Sequence, residues 1–129
     1  MTIHLLVIVG PTASGKTGLG VKVAHHFGTH VLSADSRQVY RGLDIGTGKD
    51  LDEYESVDPP VPYHLIDVAN PSEIYSLFRY QQDCYEVIRK LANEPQIAGG
   101  TTPLVMVGGS GMYVEAVVRD YRIADVPRN

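Results

Sequence analysis

An eight-residue motif near the start of the sequence has the residue types and spacing of a phosphate-binding loop. It matches the pattern G-x-x-x-x-G-K-[ST], in which glycines let successive backbone N–H groups turn toward an anion. In this pattern Lys16 reaches the terminal phosphate, and the hydroxyl of Thr17 is placed to coordinate Mg²⁺. We therefore predict that a pyrophosphate or a nucleotide phosphate such as that of ATP binds to the loop formed by Gly10, Pro11, Thr12, Ala13, Ser14, Gly15, Lys16 and Thr17.

Three other polar residues follow short apolar runs and are further candidates for chemistry. Asp35 follows one such run, and ligands of open parallel sheets bind beyond the carboxyl ends of the strands. Asp35 could therefore act as a base or as a metal-shell ligand, or it could simply cap the next turn. Ser110 lies in a glycine-rich turn, where its hydroxyl could donate to a leaving-group oxygen if the preceding strand is parallel to the first. For Asp67, a turn residue is favoured over a metal ligand.

The elements that must position these residues follow from the hydrophobic pattern. Residues 3–9 are apolar and β-branched and predict a strand buried on both faces. Apolar residues at helical spacing predict a helix over 17–27, ended by Gly28, and residues 30–33 predict a second strand. This order of strand, turn, helix and strand is a βαβ unit, which places the phosphate loop and Asp35 at the same end of the sheet.

The rest of the chain continues the alternation of strands and helices. We predict a loop over 41–62, a brief strand within 63–68, a helix capped by Ser76, a loop over 93–103, a strand over 104–107 and a helix over 111–118. Residues 120–129 show no period. The predicted fold class is therefore α/β, a P-loop NTPase-like parallel sheet flanked by helices. Three or four strands are fewer than usual, so we expect this sheet to be incomplete and the chain to be part of a longer protein.

The composition of the chain indicates the cellular compartment in which we expect the protein to be found. The 129 residues carry 11 Lys and Arg against 15 Asp and Glu, a net charge of −4, and five of the acids lie between residues 50 and 58. We interpret that acidic cluster as a solvated loop. Cys84, the single cysteine, excludes an internal disulfide and is predicted to be a core residue. No apolar run is long enough to span a membrane, and no signal peptide is evident, so we expect a soluble cytoplasmic protein.

Four blocks of the sequence together resemble one family. GPTASGKT, LSADSRQVYRGLDIGTGK, YHLIDV and VGGSGMY resemble, in this order, the tRNA dimethylallyltransferases (tRNA isopentenyltransferases). The resemblance implies transfer of a dimethylallyl group from dimethylallyl diphosphate to N6 of adenine 37 in tRNA. It also implies that residues 1–129 are the N-terminal P-loop portion of the catalytic domain, and that the rest of this domain and a helical tRNA-binding domain are absent. We therefore expect that the 129-residue chain alone does not modify tRNA, and we favour a monomer.

The same resemblance implies a role for each candidate residue. Lys16 and a Mg²⁺ ion bound by Thr17 would neutralise the diphosphate leaving group. Asp35 would accept the proton of the adenine amine, and Ser110, where many members have Thr, would stabilise the departing oxygen. The stretch that meets the substrate tRNA would consist of Asp35, Ser36, Arg37 and Gln38.

Three other functions remain open at the level of the sequence. A related enzyme that prenylates free adenine nucleotides would share the same motifs. A small P-loop metabolite kinase would need an arginine over the γ-phosphate, for which Arg119, Arg122 and Arg128 are candidates by position. A nucleotide-binding module without catalysis is disfavoured by the intact Lys16, Thr17 and Asp35.

Overall fold

The structure, a computed structural model, describes residues 3–10, 15–42, 51–109 and 111–124. In chain order the elements are β1 (Leu5–Val9), α1 (Lys16–Phe27), β2 (Val31–Ser33), α2 (Leu51–Glu55), β3 (Tyr63–His64), α3 (Leu77–Leu91), α4 (Pro95–Ala98), β4 (Leu104–Gly108) and α5 (Gly111–Ala124).

The strands form one parallel sheet in the order β1-β4-β2-β3. β4, the last strand along the chain, therefore lies between the first two, with Val107 paired to Ile8 on one side and to Ser33 on the other. All residues of β4 are buried. Because the strands are parallel, their carboxyl ends meet at one end of the sheet, which we call the carboxyl end. The predicted P-loop NTPase-like α/β fold with flanking helices is confirmed.

Alternate residues of the strands build a core on each face of the sheet. Leu104 and Met106 pack in the cluster that includes Tyr80, Cys84 and Ile88 of α3 and Val117 of α5. Val105 and Val107 pack in the other cluster, with Val21 and Ala24 of α1 and Tyr54 of α2. Ser76 caps α3 by accepting a hydrogen bond from the Arg79 N–H at 3.0 Å, as predicted.

The prediction for the first strand was wrong in one respect. It is not buried on both faces, because β1 lies at an edge of the described sheet and Val9 is 61% exposed. A short β-branched run looks the same in an edge strand and in a central strand, because the neighbours of a strand are set by long-range pairing. The run at 63–68 was also shorter than predicted, since β3 ends at His64 and the left-handed backbone of Leu65 and Asp67 turns the chain.

Two predicted loops contain short helices. α2 lies within 41–62 and buries Tyr54 against the ring of Tyr63, so part of the acidic cluster is helical and not loop. Its acids Asp52, Glu53 and Glu55 are exposed to solvent, as predicted. α4 lies within 93–103 and buries Ile97. Helices of four or five residues with one buried anchor have no detectable period, which explains why the sequence did not reveal them. α5 continues to Ala124, past the predicted end and into the stretch without a period.

No helix in the described part of the chain combines the length and the apolar character needed to cross a membrane.

Candidate active site

The end of the phosphate loop leads directly into α1. Gly15 has a left-handed backbone (φ 78°), and no side chain among the described residues caps the helix, so the first N–H groups of α1 can serve another acceptor such as an anion. Lys16 and Thr17 are buried, with Lys16 5% exposed. A buried lysine is rare in proteins unless a charge faces it. Pro11, Thr12, Ala13 and Ser14 lie outside the described residues.

Asp35 follows β2 at the carboxyl end of the sheet and is 3% exposed. Its Oδ1 accepts a hydrogen bond from the Arg37 N–H at 3.0 Å, and Nε of Arg37 lies 3.8 Å away. Its Oδ2 is buried, and none of the described residues donates a hydrogen bond to it. Because burying a carboxylate oxygen without a partner is costly, such an atom marks a place where a ligand can donate.

The sheet order brings these groups to one place beside Gly109. A Cβ on Gly109 would lie 3.6 Å from Oδ2 of Asp35, 3.7 Å from Nζ of Lys16 and 3.2 Å from the carbonyl oxygen of Gly10. The ends of β1, β2 and β4 therefore converge. A carboxylate and an ammonium group next to an open helix N-terminus can bind an anion and accept a proton in the same site.

Gly108 makes this convergence possible because β4 passes very close to the end of β2. A Cβ on Gly108 would lie 2.6 Å from the Cβ of Ala34 and closer still to its carbonyl oxygen. The Ala34 N–H donates to the carbonyl of Val107 at 2.8 Å, which holds the two strand ends together. A side chain at position 108 would push Asp35 away from Gly109.

The four residues assigned to tRNA differ in accessibility. Ser36 and Arg37 are exposed, with the Arg37 side chain at 56%. Gln38 is only 5% exposed, and its Oε1 accepts a hydrogen bond from the Ser33 hydroxyl at 2.8 Å. The turn therefore has a buried side, formed by Asp35 and Gln38, and a solvent-exposed side, formed by Ser36 and Arg37.

The remaining candidates are structural or lie outside the described residues. Asp67 is a turn residue, as predicted, and its N–H donates to the Gln38 carbonyl at 3.0 Å. Cys84 is fully buried, and burial raises its pKa to about 12, which confirms a core role. The described residues contain no group of three His, Cys, Asp or Glu side chains that could hold a metal ion. Ser110 lies outside the described residues.

Two tyrosines behind Asp35 were missed as part of the site. Tyr80 and Tyr113 stack with ring centroids 4.0 Å apart, and the Tyr80 hydroxyl donates to the Ser33 carbonyl at 2.7 Å. Burial raises the pKa of Tyr113, and Tyr40 and the Asp35 carboxylate raise it further. The sequence placed Tyr80 on an apolar helical stripe. The only available signal was its hydroxyl, which needs a partner when buried.

Comparison with models of protein families shows the family to which the chain belongs. The model of the IPP transferase family matches residues 38–129, and a second model, isopentenyl transferase, matches residues 1–57. The chain belongs to the IPP transferase family. The resemblance drawn from the four sequence blocks is therefore confirmed.

Curated relatives named tRNA dimethylallyltransferase align with this IPP transferase chain over all or nearly all of its length. It is 52% identical over 129 residues to tRNA dimethylallyltransferase 1 of Geotalea daltonii, covering 100% of this chain and 39% of the relative. It is 47% identical over 126 residues to tRNA dimethylallyltransferase 1 of Syntrophus aciditrophicus, covering 98% and 39%. The chain thus spans about 39% of the length of these relatives.

Solved structures agree with the fold. The tRNA isopentenylpyrophosphate transferase of Bacillus halodurans superposes with a TM-score of 0.77 at 38% identity, over 99% of this chain and 39% of that one. A eukaryotic dimethylallyltransferase acting on tRNA superposes with a TM-score of 0.74 at 29% identity, over 89% and 26%. The architecture of this IPP transferase chain is therefore shared with solved members of the family.

Proposed function

We propose that the full-length protein is a cytoplasmic tRNA dimethylallyltransferase, which moves a dimethylallyl group from dimethylallyl diphosphate to N6 of adenine 37 in tRNA. This chain would supply the diphosphate site and the base. The observation that carries the proposal is the placement of Oδ2 of Asp35, buried and without a described donor, beside Gly109 together with Nζ of Lys16. Membership of the IPP transferase family supports the choice of substrates.

The residues match the demands of the reaction. The bond between the allylic carbon and the diphosphate oxygen breaks, and its electron pair leaves with the diphosphate. Lys16 and the first N–H groups of α1 stabilise that negative charge. N6 of the adenine forms the new bond to carbon and loses one proton, which Oδ2 of Asp35 accepts because no described residue already donates to it.

A Mg²⁺ ion fits this site through a small number of protein ligands. Thr17 is buried and lies in the first turn of α1, and Mg²⁺ is commonly held by one or two side chains together with phosphate oxygens and water. When bound, the ion would supply positive charge to the leaving diphosphate. Ser110 is proposed to donate a hydrogen bond to the same oxygen.

The exposed side of the turn after β2 is proposed to meet the tRNA. Ser36 and Arg37 are accessible to a large substrate, and Arg37 can pair with a backbone phosphate. The buried pair, Asp35 and Gln38, would meet only a base that has left the anticodon stack, because neither side chain reaches the surface.

A transfer assay on the full-length protein tests the proposal. Radiolabelled dimethylallyl diphosphate is offered with a tRNA carrying adenine 37, with the same tRNA carrying guanine 37, or with AMP. We expect label in the first tRNA only. Label in AMP but not in tRNA would indicate an adenylate isopentenyltransferase. Transfer of the γ-phosphate of ATP, unaffected by dimethylallyl diphosphate, would indicate a kinase.

A further inference from the structure

The carbonyl of Ser33 is the last one of β2 and lies two residues before Asp35. Residues of β2 alternate between their two neighbouring strands: the Val31 N–H donates to Pro62, beside β3, whereas the Ala34 N–H donates to Val107 of β4. By this alternation the Ser33 carbonyl faces β3. However, β3 ends at His64, and Leu65 turns away with a φ of 71°. In this register the donor for the Ser33 carbonyl would be the N–H of Ile66, and the strand ladder ends two residues before it.

Tyr80 provides that donor from α3. Its hydroxyl lies 2.7 Å from the Ser33 carbonyl oxygen, and its side chain is fully buried. The ring stacks on Tyr113 at 4.0 Å, and the Cys84 thiol lies against the hydroxyl. The Tyr113 ring and the Cys84 thiol thus hold the Tyr80 side chain in place. Its hydroxyl donates to the end of β2, where the backbone of a neighbouring strand would otherwise donate.

Further hydrogen bonds connect Ser33 to the turn that carries the Asp35 carboxylate. The Ser33 hydroxyl donates to Oε1 of Gln38, and the Gln38 N–H donates to the Asp35 carbonyl at 3.1 Å. The Arg37 N–H donates to Oδ1 of Asp35. Displacement of Ser33 would therefore tilt the whole turn and move Oδ2 relative to Lys16.

We propose that Tyr80 is a positioning residue for the base Asp35, acting through its hydrogen bond to the Ser33 carbonyl at the point where β3 stops. This inference deepens the proposed transfer reaction and rests on it. It assigns no contact between Tyr80 and the substrate. Its consequence is that loss of one buried hydroxyl, remote from the diphosphate, slows proton acceptance without weakening diphosphate binding.

The test compares Tyr80→Phe with Tyr75→Phe in the full-length protein. Phenylalanine keeps the ring that stacks on Tyr113, so the variant retains its packing. Tyr75 is a matched control because it is also a mostly buried tyrosine, and its hydroxyl donates to Asp83 instead of to β2. We expect kcat of Tyr80→Phe to fall about tenfold to a hundredfold, with an unchanged KM for dimethylallyl diphosphate, and kcat of Tyr75→Phe to stay within about twofold. Equal kcat values for the two variants would overturn the proposal.

Two further measurements separate positioning from general loss of structure. In an Asp35→Asn background, Tyr80→Phe should lower kcat by less than about twofold, because the group that it positions is gone. Additive losses would show that Tyr80 acts by another route. Hydrogen exchange of the peptide spanning 33–38 should be faster in Tyr80→Phe only, and unchanged exchange would overturn the inference. If the wild-type protein fails to prenylate tRNA, the proposed function fails, and the exchange result still decides whether Tyr80 holds this turn.

Discussion

At the carboxyl end of β2, one buried carboxylate oxygen of Asp35 has no hydrogen-bond donor among the described residues. At the amino-terminal end of the same strand, the Glu94 carboxylate has a donor in a histidine ring. There, Nε2 of His30 lies 3.2 Å from Oε2 of Glu94, and Nδ1 of His30 lies 3.0 Å from Nε2 of His64. If His30 donates from Nε2, its Nδ1 accepts from His64, so a single arrangement of protons makes both hydrogen bonds among these three side chains, which we call the histidine cluster.

The contrast separates the proposed ligand site from a group of side chains that bond mainly to one another. The histidine cluster joins β2, β3 and the start of α4, and three of its four ring nitrogens form hydrogen bonds within the cluster. Asp35 is held equally firmly through Oδ1, but its second oxygen gains nothing from the described protein. Incomplete pairing of a buried charge lowers stability and persists where function needs it.

The largest effect is expected from Asp35→Asn, which keeps the shape of the side chain and removes its ability to accept a proton. Turnover of the full-length protein should fall about 10²- to 10⁴-fold, with little change in the affinity for dimethylallyl diphosphate. Single-turnover assays and calorimetry measure the two quantities. Asp52→Asn, at an exposed carboxylate of α2, is the control and should retain turnover. Equal losses in turnover and affinity would make Asp35 a structural residue and remove the contrast.

Lys16→Ala should weaken binding of dimethylallyl diphosphate roughly tenfold to a hundredfold, because a buried ammonium donates to the diphosphate in the proposed site. Isothermal titration of the full-length protein gives the affinity. Lys22→Ala, at an exposed position of the same helix, should bind normally. An unchanged affinity in Lys16→Ala would contradict the assignment of the phosphate site.

Gly108→Ala tests whether close approach of β4 builds the carboxyl end. The new methyl group would overlap with Ala34, so the free energy of unfolding should fall by about 1–3 kcal/mol. Urea denaturation monitored by circular dichroism measures the change. Gly18→Ala is the control, because its Cβ would meet only Glu53 at an ordinary distance of 3.5 Å and alanine favours the helix. Similar stability of both variants would mean that the strands can separate without cost.

The smallest effect is expected at the histidine cluster, and it depends on pH. Burial, and then the neighbouring His30, lowers the pKa of His64 below its usual 6.5. The unfolded chain then binds the proton more readily, so this contribution to stability is complete above about pH 6.5 and is lost as the pH falls through the lowered pKa. His64→Gln, which can still donate to His30, should reduce the loss of stability between pH 7.5 and 5.5 in urea denaturation.

His26→Gln, at an exposed position late in α1, is the control and should keep the pH dependence of the wild type. If His64→Gln also leaves that dependence unchanged, the histidine cluster does not couple protonation to folding. The two ends of β2 would then differ only in their ligand chemistry.

Local sequence patterns were sufficient to predict the phosphate loop and the longest helix. The phosphate motif located Gly15, Lys16 and Thr17, and the helical stripe that includes Cys84 located α3 with its Ser76 cap. Short elements escaped because α2 and α4 each depend on one buried residue, Tyr54 or Ile97, and a single apolar residue has no period. The burial of Gln38 also escaped, since a polar residue in a turn is more often exposed.

The sequence by itself determined which groups can act, because the motif of Lys16 and Thr17 and the run ending at Asp35 depend on residues that are neighbours in the chain. Only the tertiary structure decided that they lie together. Insertion of β4 between β1 and β2 brings Gly109 beside Asp35, from more than seventy positions away, and the early end of β3 leaves the Ser33 carbonyl to Tyr80. Such contacts arise from strand pairing over long separations, which no local periodicity records.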